Sequence, residues 1–332
     1  MSRSRRHFLR CSGLSLLAAP IVGPMSSPVF RNGYAESMSL DRWRGRVVVA
    51  RNSGYDSFSK NPAGLLDQGL AALLGTERGS DAWRRLFRRE DVVAVKVNAL
   101  AGPRLSPGWP LVQAVVDGLK TAGVPAGQII VWDRSSRELK RLGYPVNTSG
   151  DGVKVFGTDA LRQGYEETIT RAGSVGSCFS RIIARYATAV INVGVLKDHD
   201  LAGISVLLKN FYGAIHNPNK YHDNNCSPYV AHVNSHPDIR QKLRLNIVDA
   251  PVGQYHGGPA FNNRYTWTFG GLLLAVDAVA ADRVALDLIQ RQRQSAGLRT
   301  LRQDNRYPAY IDVAGEMGLG EATLSAIRRI EV

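Results

Sequence analysis

Two lysines and a histidine in one short stretch are the residues of this sequence best suited to chemistry. Lys197 and His199 are separated by one residue at the end of an apolar run, and Lys209 lies in the next apolar run. A lysine in apolar surroundings needs an anionic partner, because an unpaired buried cation is costly. Asp249 or an anionic substrate could be that partner, and extension of Lys209 to solvent is the alternative. We predict catalytic roles for Lys197, His199 and Asp249, with His199 as an acid–base group or metal ligand and Asp249 orienting or balancing it.

The histidines after residue 35 all lie between positions 199 and 256. They are His199, His216, His222, His232, His236 and His256. Imidazoles grouped in this way are candidate ligands for zinc or another transition metal. Ser227-Pro228 could begin a helix that places His232 and His236, four residues apart, on one face. The alternative is that residues 214–240 form a lid, rich in His and Asn, that binds no metal.

Polar residues also end apolar runs elsewhere in the chain. Lys96 and Asn98 close one run, Asp133 closes the next, and Asn210 follows Lys209. If these runs are parallel strands, their carboxyl ends lie along one edge of a sheet, where open α/β folds bind ligands. We therefore predict that these five residues bind a small anionic ligand in a cleft at that edge. Turn formation and helix capping are the alternative roles for such residues.

The elements that must position these residues follow from apolar runs and helical periodicity. The predicted strands, which read as buried on both faces, are 46–51, 92–98, 128–133, 153–156, 189–197 and 243–249. The predicted helices are 63–74, 81–88, 110–122, 203–212 and 279–293. Their alternation predicts an α/β fold with a mostly parallel sheet flanked by helices. We expect one large domain over residues 36–332, with the possible lid at 214–240.

The N-terminus has the pattern of an export signal. Arg5 and Arg6 precede an apolar stretch at 13–22, and a signal peptidase could cleave after Ala35. Paired arginines in such a segment indicate the twin-arginine type. A basic N-terminal arm or a membrane anchor is the alternative, but the apolar stretch is far shorter than the ~20 residues that span a bilayer. We expect residues 1–35 to be a signal peptide for the twin-arginine translocase, and the mature protein to be periplasmic.

Charge and cysteine count limit the partners and cofactors. The formal net charge is +14, and much of it remains without residues 1–35. Outside the cytoplasm nucleic acid is excluded as a partner, so a small anion or an anionic surface suits this charge better. A generally basic surface without a partner is the alternative. After residue 35 only Cys178 and Cys226 remain; they could form a disulfide, but two thiolates cannot build a four-thiolate iron–sulfur site. A transition metal would suit the histidines, and no second segment is apolar enough to span a membrane.

Three blocks of the sequence resemble the family catalogued as domain of unknown function 362. The most specific block is Asn-Val-Gly-Val-Leu-Lys-Asp-His at 192–199, followed by Leu-Lys-Asn-Phe-Tyr-Gly at 208–213. The second is Val-Lys-Val-Asn at 95–98, which departs from the expected Lys-Pro-Asn but keeps the lysine and the asparagine. The third begins with Asn-Ile-Val-Asp-Ala at 246–250. Together with residues further on, these blocks cover nearly all of the mature chain.

The resemblance implies a shared α/β fold and a link to exported or redox proteins. Family members often occur with iron–sulfur ferredoxin modules or twin-arginine signals, and no general reaction comes with the name. This chain lacks the ferredoxin cysteine clusters, so the resemblance does not extend to an iron–sulfur cluster. The leading interpretation is a periplasmic metal-dependent or redox-associated enzyme that acts on a small anionic substrate. A non-catalytic metal- or anion-binding protein and an accessory protein of an exported redox complex are the alternatives.

Overall fold

The computed structural model describes residues 40–51, 62–162 and 164–332. The predicted signal peptide at 1–35, with Arg5 and Arg6, lies outside the described residues. Among the residues that are described, no helix is long and apolar enough to cross a membrane.

One large sheet organises the described part of the chain. In chain order the strands are β1 (Arg46–Arg51), β2 (Val93–Val97), β3 (Ile129–Asp133), β4 (Lys154–Gly157), β5 (Thr170–Ala172), β6 (Val175–Ser177), β7 (Ala189–His199), β8 (Gly203–Ile204), β9 (Leu243–Gln254), β10 (Thr266–Ala275) and β11 (Arg328–Glu331). The order in the large sheet is β11-β1-β10-β9-β7-β2-β3-β4, with β8 paired to β7, while β5 and β6 form a separate hairpin. Within this order only β10 runs antiparallel to its neighbours.

The prediction of a mostly parallel sheet is confirmed, and all six predicted strands are present. Every residue of β2, β3 and β7 is buried, as expected for strands covered on both faces. The prediction that a strand ends at Asp249 is wrong, because β9 continues to Gln254. The sequence reading missed β10, and pairing with β10 extends β9 beyond Asp249. Asp249 therefore lies inside a strand rather than at its end.

Helices cover both faces of the sheet. In chain order they are α1 (Pro62–Leu74), α2 (Gly79–Leu86), α3 (Trp109–Thr121), α4 (Ser136–Arg141), α5 (Tyr229–Ser235), α6 (Pro237–Arg240), α7 (Ala278–Ser295) and α8 (Tyr310–Glu316). Helices α1, α2 and α3 pack on one face over one apolar cluster, and α5, α7 and α8 pack on the other over a second cluster. The helices predicted at 63–74, 81–88, 110–122 and 279–293 are confirmed to within two residues at each end.

The helix predicted at 203–212 is wrong. Gly203–Ile204 forms the short strand β8, and Leu208–Ala214 forms a 3-10 helix. The apolar run does not continue as an α-helix because the buried carboxylate of Asp282 captures its backbone. The N–H groups of Leu207 and Leu208 donate to that carboxylate at 2.8 and 3.1 Å. A long-range contact therefore overrides the local apolar pattern.

The His- and Asn-rich segment at 214–240 is anchored in the core. Its buried apolar residues, which join the cluster under α7, are Ala214, Ile215, Tyr221, Cys226, Val230, Ala231, Val233 and Ile239. The prediction that His232 and His236 share one helix face is wrong. Helix α5 ends at Ser235, and the His236 side chain instead caps α6 by accepting the N–H of Asp238. The chain turns between the two histidines, so their rings face different neighbours.

The topology selects one position along the carboxyl edge of the sheet. Strands β2 and β7 are parallel neighbours, but their connections leave in opposite directions. The chain after β2 reaches β3 through α3 on one face, whereas the chain after β7 reaches β9 through residues 200–242 on the other face. Ligands of open α/β sheets bind where the strand order reverses in this way. The ends of β2 and β7 are therefore the expected place for a site.

Candidate functional site

A buried ion pair joins the ends of β2 and β3. The Nζ of Lys96 lies 2.6 Å from Oδ1 of Asp133. It also donates to the carbonyl of Val97 at 2.7 Å and to Oδ1 of Asn210 at 3.0 Å. Burial lowers the pKa of Lys96, and the charge and hydrogen bond of Asp133 oppose that shift. The ammonium of Lys96 thus has three acceptors and a counter-charge inside the protein.

Asparagines extend this ion pair across the sheet. Asn210 donates from Nδ2 to Oδ1 of Asn192 at 2.7 Å. Asn192 donates in turn to Oδ1 of Asn246 at 3.2 Å and to the carbonyl of Leu207 at 3.0 Å. Lys96, Asn192 and Asn246 occupy one paired row across β2, β7 and β9. The network therefore fixes the chain around Lys209 against three parallel strands.

Lys197 is buried at the end of β7 without such acceptors. Its side chain is 1% exposed. Within the described residues its ammonium makes no hydrogen bond and no ion pair. Burial, followed by the positive charge of Lys209, lowers the pKa of Lys197 to about 8, and Asp133 and Asp198 oppose this only in part. A buried cation without a partner is unfavourable, so the site favours an added anion.

Lys209 contributes to the lowered pKa of Lys197 and is itself held by His222. Its Nζ is 3.0 Å from Nε2 of His222 and 4.5 Å from the ring centroid of Tyr212. The Nδ1 of His222 faces the carbonyl of Pro218 at 3.1 Å, so Nδ1 carries the proton and Nε2 accepts from Lys209. Burial lowers the pKa of both Lys209 and His222. The imidazole is thus neutral and holds the ammonium in place.

His199 presents one ring nitrogen to the backbone and leaves the other available. Its Nδ1 accepts the N–H groups of Leu201 at 3.1 Å and Ala202 at 3.3 Å. Oδ1 of Asp200 lies 2.9 Å from the same nitrogen, which would favour a proton there. We assign the proton to Nε2, because two N–H groups point at Nδ1 and Asp200 is mostly exposed. Burial, with a further effect of Lys209, lowers the pKa of His199 to about 2, so Nε2–H is a neutral donor.

The structure brings two of the six candidate metal-binding histidines together. The rings of His199 and His222 have centroids 6.1 Å apart. The others have separate partners: His216 contacts the ring of Tyr165, His232 the hydroxyl of Ser174, His236 the ring of Phe179 and His256 the guanidinium of Arg293. In residues 40–51, 62–162 and 164–332, no three His, Cys, Asp or Glu side chains form a group that could hold a metal ion.

Asp249 and Asn98 make no hydrogen bond with Lys197, His199 or Lys209 in the described residues. Asp249 accepts the N–H of Gly108 at 2.8 Å through Oδ2, and its buried Oδ1 has no partner in the described part of the chain. Burial raises the pKa of Asp249 to about 7. Its partner is a backbone N–H rather than His199 or Lys197. Asn98 is only half-buried and accepts the N–H of Leu100 in its own turn.

Sequence reasoning missed the residues that hold the site in place. Asn192 and Asn246 are fully buried in strands, and Asp282 is fully buried in α7. Each is a polar residue inside an otherwise apolar run, which is the signal that could have found it. Such residues need internal partners. Asn192 and Asp282 bond to the backbone of Leu207 and Leu208, just before Lys209, and Asn246 bonds to Asn192 and to the carbonyl of Val276.

Comparisons with known proteins identify a family but no activity. Residues 93–287 match the family model described as "Domain of unknown function (DUF362)", and this range contains all the lysines and histidines of the site. Among solved structures the chain is similar to a crystal structure of a protein from Thermotoga maritima, with 12% identity over 70% of this chain and a TM-score of 0.38. The match spans 59% of that protein's length. A comparison with curated proteins finds no match.

The buried ion pair leads to a prediction about stability. Lys96→Met leaves the carboxylate of Asp133 buried without its cation, so we expect the free energy of unfolding to fall by about 3–5 kcal/mol. Urea unfolding followed by tryptophan fluorescence measures the change. Lys120→Met is the matched control, because Lys120 pairs with Asp117 at 3.2 Å where both side chains are exposed. It should change stability by less than about 1 kcal/mol; equal effects of the two substitutions would contradict the assignment.

Proposed function

This chain belongs to the family described as domain of unknown function 362, and on that premise we propose that it binds a small anionic ligand at the carboxyl ends of β2 and β7. The observation that carries the proposal is the buried ammonium of Lys197, which has no acceptor in the described residues. An anion would supply the missing partner. The position is also the one that the topology favours for ligands of this fold class.

Three donors are available to such an anion. They are the ammonium of Lys197, the N–H groups of Lys209 that His222 does not engage, and the Nε2–H of His199. Hydrogen bonds from a cation to an anionic oxygen are among the strongest in proteins. Lys197 and His199 are 1% and 7% exposed, so a ligand held by them is small and enclosed.

The donors at this site suit an anion better than a metal ion. Two ammonium groups repel a cation, and the Nδ1 of His199 and the Nε2 of His222 are already engaged as acceptors. If the protein is an enzyme, Lys197 rather than His199 is the group that gains and loses a proton near neutral pH. Burial and Lys209 hold the pKa of Lys197 at about 8, whereas His199 stays neutral and donates.

Non-catalytic binding of the same anion is the second candidate. Asn192, Asn210 and Asn246 favour this candidate, because their hydrogen bonds hold the site in one geometry. A site fixed in this way can bind an anion without any catalytic group. Turnover separates the two candidates. Consumption of the bound anion would indicate an enzyme, and stoichiometric binding without consumption would indicate a carrier.

Export to the periplasm by the twin-arginine translocase is a further part of the proposal. It rests on Arg5 and Arg6 ahead of a short apolar stretch. In a host with an intact translocase, we expect the full chain in the periplasmic fraction and the Arg5→Lys/Arg6→Lys variant in the cytoplasm. Cell fractionation with an antibody against the chain measures this. A variant that is periplasmic to the same extent as the wild type would contradict this route.

Calorimetric titration with oxalate and with inorganic phosphate tests the anion site. We expect binding of at least one of these anions by the full chain. Lys197→Met and Lys209→Met should each weaken it by more than about tenfold, since losing one partner of a buried charge contact costs about 2–5 kcal/mol. Binding should also weaken as pH rises through about 8, because Lys197 then loses its proton.

The matched control is Lys220→Met, which removes an exposed lysine from the same segment. It should leave binding unchanged. Lys197→Met should also raise the free energy of unfolding, because it removes an unpaired buried cation; a loss of binding in this variant is then not a loss of folding. The proposal fails if the wild type binds neither anion, or if Lys220→Met weakens binding as much as Lys197→Met.

A further inference from the structure

The environment of Lys197 suits a nucleophilic amine better than a cation that only binds an anion. We infer that the ligand of this site is a small 2-oxo acid, whose carboxylate lies at Lys209 and whose carbonyl carbon forms a Schiff base with Nζ of Lys197. This inference rests on the proposed anion site and names the substrate class that the site would take.

The contrast with Lys96 carries the argument. Both lysines are 1% exposed and lie at the same edge of the sheet, on the neighbouring strands β2 and β7. The ammonium of Lys96 donates to Asp133 and to two further acceptors, whereas the ammonium of Lys197 makes no hydrogen bond in the described residues, and the charges of Asp133 and Asp198 act on it without a close ion pair. A lysine meant to hold a permanent charge would be expected to have the environment of Lys96. Burial without a carboxylate favours the neutral amine, which is the nucleophilic form.

Lys209 contributes to this effect in two ways. Its positive charge is the largest charge effect on Lys197 and lowers the pKa of that amine. A cationic neighbour in an apolar site is one of the established ways to activate a lysine for imine formation. Because His222 and Tyr212 fix the Lys209 ammonium, the same cation can hold the carboxylate next to a reacting carbonyl.

His199 supplies the remaining contact. Its Nδ1 is occupied by backbone N–H groups, so Nε2–H is its available donor. A donor is what a carbonyl oxygen needs as negative charge develops on it during attack. Schiff-base formation with a 2-oxo acid requires three groups. They are a cation for the carboxylate, a nucleophilic amine for the carbonyl carbon and a neutral donor for the carbonyl oxygen. A plain carboxylate or phosphate would use Lys197 only as a charged donor and not as a nucleophile.

The step balances without a cofactor. The lone pair of the neutral Lys197 amine forms a C–N bond to the carbonyl carbon, and the C=O π bond breaks to give a carbinolamine. The C–O bond then breaks, and the oxygen leaves as water with one proton from the amine and one from solvent. The product is a protonated imine that keeps one N–H. No oxidant or reductant takes part.

Reductive trapping tests the inference. The full chain is incubated separately with pyruvate, glyoxylate and 2-oxoglutarate in the presence of sodium cyanoborohydride, which delivers hydride to an imine and makes the adduct permanent. Intact mass and peptide mapping then locate the adduct. With at least one of these acids we expect one adduct per chain, on Lys197, with loss of that adduct in Lys197→Met. Lys209→Met should slow its formation, and Lys220→Met should not.

The outcomes separate this inference from the proposed function. Binding of oxalate or phosphate without a trapped adduct from any of the three acids would overturn the Schiff base and leave the anion site standing. Adducts spread over many lysines, or unchanged in Lys197→Met, would also overturn it. Failure of the wild type to bind either anion would remove the proposed function, whatever the trapping result. An adduct confined to Lys197 and dependent on Lys209, together with binding of oxalate or phosphate, supports both.

Discussion

Two buried lysine charges at one edge of a parallel sheet are the constraint on which the rest of this structure depends. Lys96 is satisfied by Asp133, by a backbone carbonyl and by Asn210. Lys197, on the next strand, is left without an acceptor in the described residues and beside the positive Lys209. An unsatisfied buried charge is rare because desolvation opposes it. The fold therefore pairs one lysine inside the protein and leaves the other buried without a hydrogen-bond acceptor in the described residues.

The ion pair of Lys96 with Asp133 explains residues that have no chemical role of their own. Asn192 and Asn246 carry the polar network from β2 to β9, and Asn192 also donates to the carbonyl of Leu207 just before Lys209. Gly213 ends the same stretch, and a Cβ at that position would lie 2.8 Å from Nζ of Lys96 and 2.9 Å from Oδ1 of Asp133. Only a residue without a side chain lets the backbone pass this close to the ion pair. The Leu-Lys-Asn-Phe-Tyr-Gly stretch thus follows from the need to close over a buried charge.

Much of this arrangement could be read from the sequence, because strands buried on both faces leave unbroken apolar runs. The same runs placed Lys96, Asp133 and Lys197 toward one edge of the sheet, since parallel strands run in one direction, although β7 continues six residues beyond Val193, the partner of the last residue of β2. The sequence predicts a helix at 203–212, but the path of this run depends on Asp282, more than seventy residues away. The prediction that His232 and His236 share one helix face is wrong because the chain turns between them at the start of α6. Such long-range contacts and turns leave no periodic signal in the sequence.

The titration of Lys197 itself tests the central claim most directly. Lysine labelled with ¹³C at Cε gives an NMR shift that follows the charge of each ammonium, and Lys197→Met identifies the signal of Lys197. In the ligand-free protein we expect this signal to titrate at a pH of about 8, well below the ordinary value of 10.5, because the amine is buried beside Lys209 without a carboxylate partner. Titration at the ordinary value would contradict the account, since it would mean that Lys197 is solvated or paired and needs no ligand.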